Sequence, residues 1–342
     1  MSVGMGLIGA GVWGTLHART YQMSDVADFV AVCDLVPEKA KALADRYGAR
    51  KVYTDYREML ADPEIQAVAV ATPDFAHKQP VLDAAAAKKH IIVEKPMATS
   101  LEDAIEMQEA AEKNGVILMP DFHNRWNPCF VTANESIADG TLGAPKYVHI
   151  RHSNTKYVPF KMLKWSSKSN VLWFLGAHAC DLARFVMKSN VVKAYTVSRK
   201  GILQKDGIDI PDFFTTILEF ENGGVATVEN SWILPDVMQG LGEFRAQILC
   251  EYGMHNVNFN ANDSCITFAE GRGRAKSRDL YAENVVYGKL KGFCYDSIIH
   301  FMECVEKGET PMVTAIDGVE NTRTLEAMSR SMACGEPVIV TR

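Results

Sequence analysis

Apolar residues in this chain fall first into short unbroken runs and later into alternation, with the change near residue 121. Met5-Gly6-Leu7-Ile8, Phe29-Val30-Ala31-Val32-Cys33, Ala67-Val68-Ala69-Val70-Ala71, Ile91-Ile92-Val93 and Val116-Ile117-Leu118-Met119 are the early runs. Runs of this kind predict strands buried on both faces. Between them the spacing turns helical: Ala40, Leu43, Ala44 and Tyr47 share one face of a helix predicted over 37–47, with Pro37 suited to its first turn. Further helices are predicted over 15–23, 56–60 and 77–88, and from a Ser100/Asp103 capping box to Asn114-Gly115. Strands alternating with helices of these lengths predict a mostly parallel sheet with right-handed crossovers. Beyond residue 121 the pattern becomes period-two over 147–153, 192–198, 213–232, 243–250 and 264–269, with Asn222-Gly223-Gly224 as a hairpin turn. One helix over 171–187 interrupts these strands, and two more, over 293–307 and 317–332, finish the chain. The fold class is therefore α/β in two domains. A doubly wound parallel sheet occupies 1–121, and an α+β domain on a mostly antiparallel open sheet occupies 122–342.

The first turn carries chemistry. The first strand runs into G-x-G-x-x-G, formed by Gly9, Gly11 and Gly14, with a helix behind it. Gly9 permits the tight turn, Gly11 lets backbone N–H groups approach a pyrophosphate, and Gly14 lets the helix pack close with its positive end toward the phosphates. Asp34 ends the next strand twenty residues after Gly14, where a ribose diol needs an acceptor. Strand, turn, helix, strand and acid in that order predict a Rossmann dinucleotide site. Leu35 follows the acid, and a carboxylate repels a 2′-phosphate, so NAD is expected over NADP.

Composition narrows the partners. The 342 residues are 47% hydrophobic and 23% charged, with a formal net charge of −6 and no block of Lys and Arg, which argues against nucleic acid and anionic membrane. The basic run Arg272 to Arg278 is interrupted by Gly273 and is expected to be a solvated loop. No apolar run approaches the ~18 residues of a membrane helix. The eight cysteines lack metal-type spacing and mostly sit in apolar patterns, so core thiols, no metal site and a reduced, cytoplasmic setting are expected.

In a doubly wound sheet, ligands lie beyond the carboxyl ends of the strands. Three such ends matter: the glycine turn, Thr72-Pro73 and Glu94-Lys95-Pro96. Lys95 follows an apolar run and precedes proline, a placement that can lower an ammonium's proton affinity into the useful range, although a solvated strand cap has the same pattern. In the second domain His178, Asp181 and Arg184 recur at helical spacing on one face. An imidazole beside a carboxylate suits proton transfer in alcohol oxidation, and also suits a core histidine satisfied by its neighbour.

Together Gly9-Ala10-Gly11-Val12-Trp13-Gly14, Ala71-Thr72-Pro73, Glu94-Lys95-Pro96, Arg125-Trp126-Asn127-Pro128 and Gly176-x-His178-x-x-Asp181-x-x-Arg184 resemble, in order, the Gfo/Idh/MocA oxidoreductases. The resemblance covers essentially the whole chain. It implies hydride transfer between nicotinamide and a carbon of a sugar, polyol or glycoside. It implies Lys95 and His178 as the proton-handling pair, Asp181 as a substrate contact and a cis Lys95-Pro96 bond. It also implies an open sheet that mediates a homodimer or homotetramer. Cofactor contacts are then expected from Gly9, Gly11, Val12, Trp13, Gly14, Asp34, Thr72, Pro73, His77, Glu94 and Lys95, and substrate contacts from Arg125, Phe174, Trp165 and His123 besides Asp181. His152 and Tyr157 lie in segments that could line the same cleft. One departure stands out: many members carry an acid four residues before the histidine, where this chain has Phe174. A phenyl ring there either stacks on a substrate or fills core space. Two other readings stay open: an enzyme that keeps NAD for transient oxidation in elimination or epimerisation of a glycoside, and a non-catalytic NAD- or sugar-binding sensor.

Overall fold

A computed structural model describes residues 2–238, 240–258, 265–269, 273–277, 282 and 284–341. The chain forms two compact units, Met1–His123 with Ala282–Thr322, and Asn124–Tyr281 with Arg323–Arg342.

The first unit opens with β1 (Val3–Ile8), α1 (Val12–Met23), β2 (Ala27–Cys33), α2 (Pro37–Tyr47), β3 (Lys51–Tyr53), α3 (Tyr56–Leu60), β4 (Ala67–Val70), α4 (Lys78–Ala86), β5 (His90–Val93), α5 (Leu101–Asn114) and β6 (Leu118–Pro120). The strands make one parallel sheet in the order β3-β2-β1-β4-β5-β6. Every residue of β1 and β4 is buried, as unbroken apolar runs require when helices cover both faces. The strand order reverses between β1 and β4, which opens a crevice at their carboxyl ends. In α2 the buried residues are Ala40, Leu43, Ala44 and Tyr47, the face read from the sequence. Ser100 accepts from the Asp103 N–H at 3.2 Å and caps α5. The helix foreseen over 77–88 begins instead as a 3-10 turn at Asp74–Ala76, because Pro73 sets its entry.

The second unit follows with α6 (Pro128–Ala138), β7 (Pro145–Asn154), α7 (Ala177–Met187), β8 (Val191–Arg199), α8 (Ile202–Lys205), β9 (Phe213–Phe220), β10 (Val225–Ser231), β11 (Gly242–Cys250), β12 (Met254–Asn258), β13 (Cys265–Ala269) and β14 (Gly273–Ser277). After β15 (Asn284–Val286) and β16 (Lys289–Lys291) the chain ends in α9 (Phe293–Lys307), α10 (Ala315–Cys334) and β17 (Val338–Ile339). The main sheet runs β12-β11-β7-β10-β9-β8-β17 and is antiparallel except for the β7/β10 pair. Burial alternates along β9 and β10, so one face holds the core around Trp232, Phe214 and α7 while the other meets solvent. Asn222–Gly224 makes the hairpin turn, with Gly223 at φ +81°.

Three expectations change. The helix over 171–187 starts as a π-helical segment, Leu172–Gly176, and becomes α-helical at Ala177. The Asn170 side chain takes the Leu172 N–H at 2.9 Å and shapes that start. Within the basic run, Gly273–Ser277 is a strand paired with Cys265–Ala269 rather than a loop, while Arg272 and Arg278 lie outside the described residues, as does Ser264. A backbone ladder is decided by a distant partner, which a local charge pattern conceals. Third, Cys334 is exposed, whereas Cys33, Cys180, Cys294 and Cys304 are buried. Helix α6 had gone unread, although Asn127-Pro128 marks it: Asn127 accepts from the Cys129 N–H at 3.0 Å and Pro128 takes the first turn. No helix among the described residues is long and apolar enough to cross a membrane.

Candidate active site

In the first unit the glycine turn has distinct reasons for each glycine. Gly9 sits at φ +105°, and a Cβ there would meet the Ala71 carbonyl oxygen at 2.5 Å. A Cβ on Gly14 would overlap the Gly9 carbonyl oxygen. At Gly11 a Cβ would meet nothing within 4 Å, so the protein's own packing does not require glycine there. Open space at Gly11, together with an α1 N-terminus that has no side-chain cap, fits a cradle for an anionic ligand. Asp34 braces the turn: Oδ2 accepts from Ala10 N–H and Oδ1 from Val36 N–H, both at 2.8 Å. Each oxygen retains a second lone pair for a ligand hydroxyl. Val12 is exposed at the first position of α1.

The other strand ends are tied together. His77, expected among the cofactor contacts, is buried with Nδ1 2.9 Å from the Pro96 carbonyl and Nε2 3.0 Å from the Thr72 carbonyl. A neutral imidazole carries one N–H and so donates to one of these two carbonyls, and the ring links the Thr72-Pro73 turn to the Lys95-Pro96 turn. The Lys95–Pro96 bond is cis. Lys95 itself is 4% exposed, with Nζ 5.9 Å from the centre of the Trp13 ring. Burial pushes its ammonium down to about 8, against the opposing pull of Glu94, Asp74 and Asp121. The Trp13 ring in turn lies 5.5 Å from that of His123, which stacks on Phe293 at 5.8 Å. Burial takes His123 down to about 4, so its ring is neutral at ordinary pH.

Behind Lys95 lies a cluster that sequence reasoning missed. Tyr21 OH is 3.3 Å from His17 Nδ1, and His17 Nε2 is 3.0 Å from Glu94 Oε1. Asp121 is fully buried, and ligand atoms of His17, Glu94 and Asp121 converge within 4.8 Å of one another. Within this set His17 Nε2 pairs with Glu94 Oε1, while neither oxygen of Asp121 has a hydrogen-bond partner. Signals for it existed. His17 and Tyr21 lie on the buried face of α1 with Gly14 and Ala18, at helical spacing, and Asp121 follows a strand end like the others.

In the second unit, neighbouring residues of the 3-10 segment His123–Trp126 reach neighbouring positions on α7. Asn124 Nδ2 lies 3.0 Å from His178 Nδ1. Arg125 clasps Asp181 with two hydrogen bonds, Nε to Oδ2 at 2.9 Å and Nη2 to Oδ1 at 2.6 Å, all buried. Arg125 and Asp181, both expected among the substrate contacts, form a fork-to-fork ion pair with each other. Arg184 reaches Asn190 Oδ1 at 2.8 Å beyond the end of α7. Phe174 is packed between two indoles, 6.3 Å from Trp165 edge-on and 5.7 Å from Trp232, within the hydrophobic core. Core packing is thus one of the two roles open to this ring. His152 lies 5.6 Å from His178 and stacks on Phe244 at 4.5 Å. Tyr157 is exposed.

Two family models cover most of the chain. "Oxidoreductase family, NAD-binding Rossmann fold" matches residues 3–122, and "GFO/IDH/MocA C-terminal domain" matches residues 130–255. An inositol 2-dehydrogenase of Acidothermus cellulolyticus is 31% identical over 257 residues, 74% of this chain and 72% of that protein. The chain belongs to the GFO/IDH/MocA oxidoreductase family. A myo-inositol 2-dehydrogenase of Thermotoga maritima is 26% identical across 92% of this chain and 91% of its own. The family fold extends over the full length: a levoglucosan dehydrogenase solved in complex with NADH and levoglucosan superimposes with a TM-score of 0.85 over 100% of both chains at 23% identity.

Proposed function

We propose that this chain is an NAD-linked dehydrogenase of a sugar, polyol or glycoside ring hydroxyl. The observation that carries the reading is Lys95: a lysine buried at a strand end, its ammonium brought down to about 8, in the same unit as a glycine turn open at Gly11. Relatives named for inositol and levoglucosan oxidation support the substrate class. Asp34 would hold the adenosine ribose and favour NAD over NADP, while the α1 N-terminus with Gly11 would hold the pyrophosphate. Trp13, Thr72 and Pro73 would line the remainder.

Oxidising CH–OH to C=O breaks a C–H and an O–H bond, so a hydride and a proton must both leave. Bound nicotinamide supplies the hydride acceptor, and the protein takes the proton. Lys95 in its amine form and His178 take that role, each worth about 100- to 10,000-fold when positioned. With the Asn124 amide turned so that its oxygen meets His178 Nδ1–H, Nε2 would be the basic ring nitrogen. The Arg125–Asp181 pair pins the segment carrying Asn124 to the helix carrying His178, so it orients the imidazole. Asp181, Arg125, Phe174 and Trp165 would contribute substrate contacts from the second unit, and His123 from the first.

The test is reduced-nicotinamide absorbance after mixing the protein with NAD or NADP and a panel of sugars, polyols and glycosides. Sustained signal with one substrate class and NAD, lost in Lys95→Ala and His178→Ala, is expected. A flat trace with every compound and both cofactors would sink the dehydrogenase reading.

A further inference from the structure

The amino ends of β5 and β6 face away from the strand ends that carry the proposed chemistry, and a cavity of about 440 Å³ opens there. The starts of both strands, the last two turns of α5 and the turn from α9 into α10 line it. Small organic ligands usually occupy cavities of roughly 300–1,000 Å³. One hydrogen-bond donor is fixed in this one. The Ile117 N–H donates to His90 Nδ1 at 3.0 Å, so Nδ1 presents its lone pair and the neutral ring carries its proton on Nε2. Burial holds His90 below its ordinary proton affinity and so favours that neutral ring. Nε2 has no hydrogen-bond partner among the described residues.

The rest of the polar lining is negative. Helices α5 and α9 both end at the cavity, on Gly115 at φ +67° and Gly308 at φ +69°, so two dipoles turn their negative ends toward it. Glu112 and Glu309 add carboxylates at those same ends, against the ordinary preference for cations there. Neither forms an ion pair among the described residues, and Glu112 accepts from Gln108 Nε2 at 2.7 Å. No lysine or arginine lines the cavity. Nearby, Lys307 pairs with Glu303, and Lys88 donates to the Asn114 carbonyl at 3.2 Å. The start of α10 is a positive end, and Asp317 in its first turn answers it by accepting from the Thr314 N–H at 3.0 Å.

We propose that this cavity binds an organic ammonium ion that carries a hydroxyl and a hydrocarbon body. Glu112 and Glu309 hold the ammonium, and His90 Nε2–H donates to the hydroxyl oxygen. The hydrocarbon lies on Val116, Leu118, Pro311 and Ile316; Ile316 is 58% exposed, apolar area that such a body covers. Charge decides between occupants. An anion would meet two carboxylates and two negative helix ends, and a neutral polyol would leave both carboxylates unpaired. A bare metal ion lacks a ligand set here, because the three ligand atoms that converge among the described residues belong to His17, Glu94 and Asp121, none of which lines the cavity. The inference is independent of the dehydrogenase reading, since no residue placed in that reaction lines the cavity.

The experiment is calorimetric titration of the full-length protein with phenylalaninol. Beside it run the neutral diol in which a hydroxyl replaces the amino group, and anionic phenyllactate. Nitrogen-15 NMR of the histidine rings reports where binding occurs, with His90 assigned through His90→Gln. Saturable binding of phenylalaninol that moves the His90 ring signal is expected, with the diol about tenfold weaker, the scale of two exposed charge pairs, and phenyllactate not bound. Glu112→Gln and Glu309→Gln are each expected to weaken phenylalaninol about threefold, and together about tenfold. Thr310→Trp, introduced from an exposed turn, fills the cavity and is expected to abolish both the heat and the His90 shift. No saturation by about 10 mM phenylalaninol, an affinity matched by the diol, or an unmoved His90 signal would overturn the proposal. Unchanged affinity in the double glutamine variant or in Thr310→Trp would do the same. If Thr310→Trp does not fold, the glutamine pair, at two exposed positions, decides with the His90 signal.

Discussion

Each unit buries a set of charges around one residue of the proposed proton pair, and the two sets are built on opposite terms. In the second unit two charges near His178 are matched: Arg125 and Asp181 satisfy each other through two short hydrogen bonds, and Asn124 engages the imidazole. In the first unit two buried carboxylates keep oxygens without a hydrogen-bond partner. Asp121 keeps two oxygens without partners, Glu94 keeps one, and Lys95 is held with a weakened grip on its proton. A matched buried pair stores its energy in position, and breaking it costs structure. An unmatched group stays ready to change charge, and altering it costs chemistry. The same low dielectric produces both outcomes.

The comparison can be broken from either side. The largest effect is expected at its chemical end. Lys95→Ala and His178→Ala are each expected to lower kcat by about 100- to 10,000-fold, with circular dichroism unchanged and NAD still bound by His178→Ala. Comparable loss of folded protein in Lys95→Ala would erase the distinction between the two sets. Next, Arg125→Met removes both of the hydrogen bonds that Arg125 gives to buried Asp181 and is expected to cost about 3–5 kcal/mol in urea unfolding. Arg125→Met combined with Asp181→Leu removes both charges and is expected to recover much of that loss. A double variant as unstable as the single one would mean that the pair acts through something other than charge matching.

A pH series sharpens the same contrast. Lys95 gains its amine form as pH rises through about 8, so kcat/KM for oxidation is expected to climb about tenfold per unit below that point and level off above it. Stability follows with a definite sign. Lys95 binds its proton less tightly folded than unfolded, so the cost of burying its charge is present below about 8 and is relieved as pH rises toward 10.5. Lys51, whose proton affinity is raised by Asp62 and Glu64, has the opposite sign. The smallest effect is expected at a site outside both sets. Ser100→Ala removes the α5 cap and is expected to cost about 1 kcal/mol, read as a lower Tm with unchanged kcat.

Several parts of this protein were legible before any coordinate. The α2 face, the Ser100 cap and the Asn222–Gly224 hairpin all follow from interactions spanning a few residues or from simple periodicity. Steric limits on φ and ψ, and the need to bury one side of a helix or strand, leave their mark at fixed spacing in the chain. The glycine turn likewise announces a ligand because its chemistry is carried by adjacent backbone.

Folding alone decided what the charged side chains do. Residues 17, 94 and 121 form one cluster, Arg125 takes Asp181, and His77 lies between two carbonyls. Phe174 turned to Trp165 and Trp232 and became core. The physical reason is common to all four. Desolvation and pairing depend on separations of a few ångströms between groups far apart in sequence, and a chain encodes which groups exist while only its packing sets those separations.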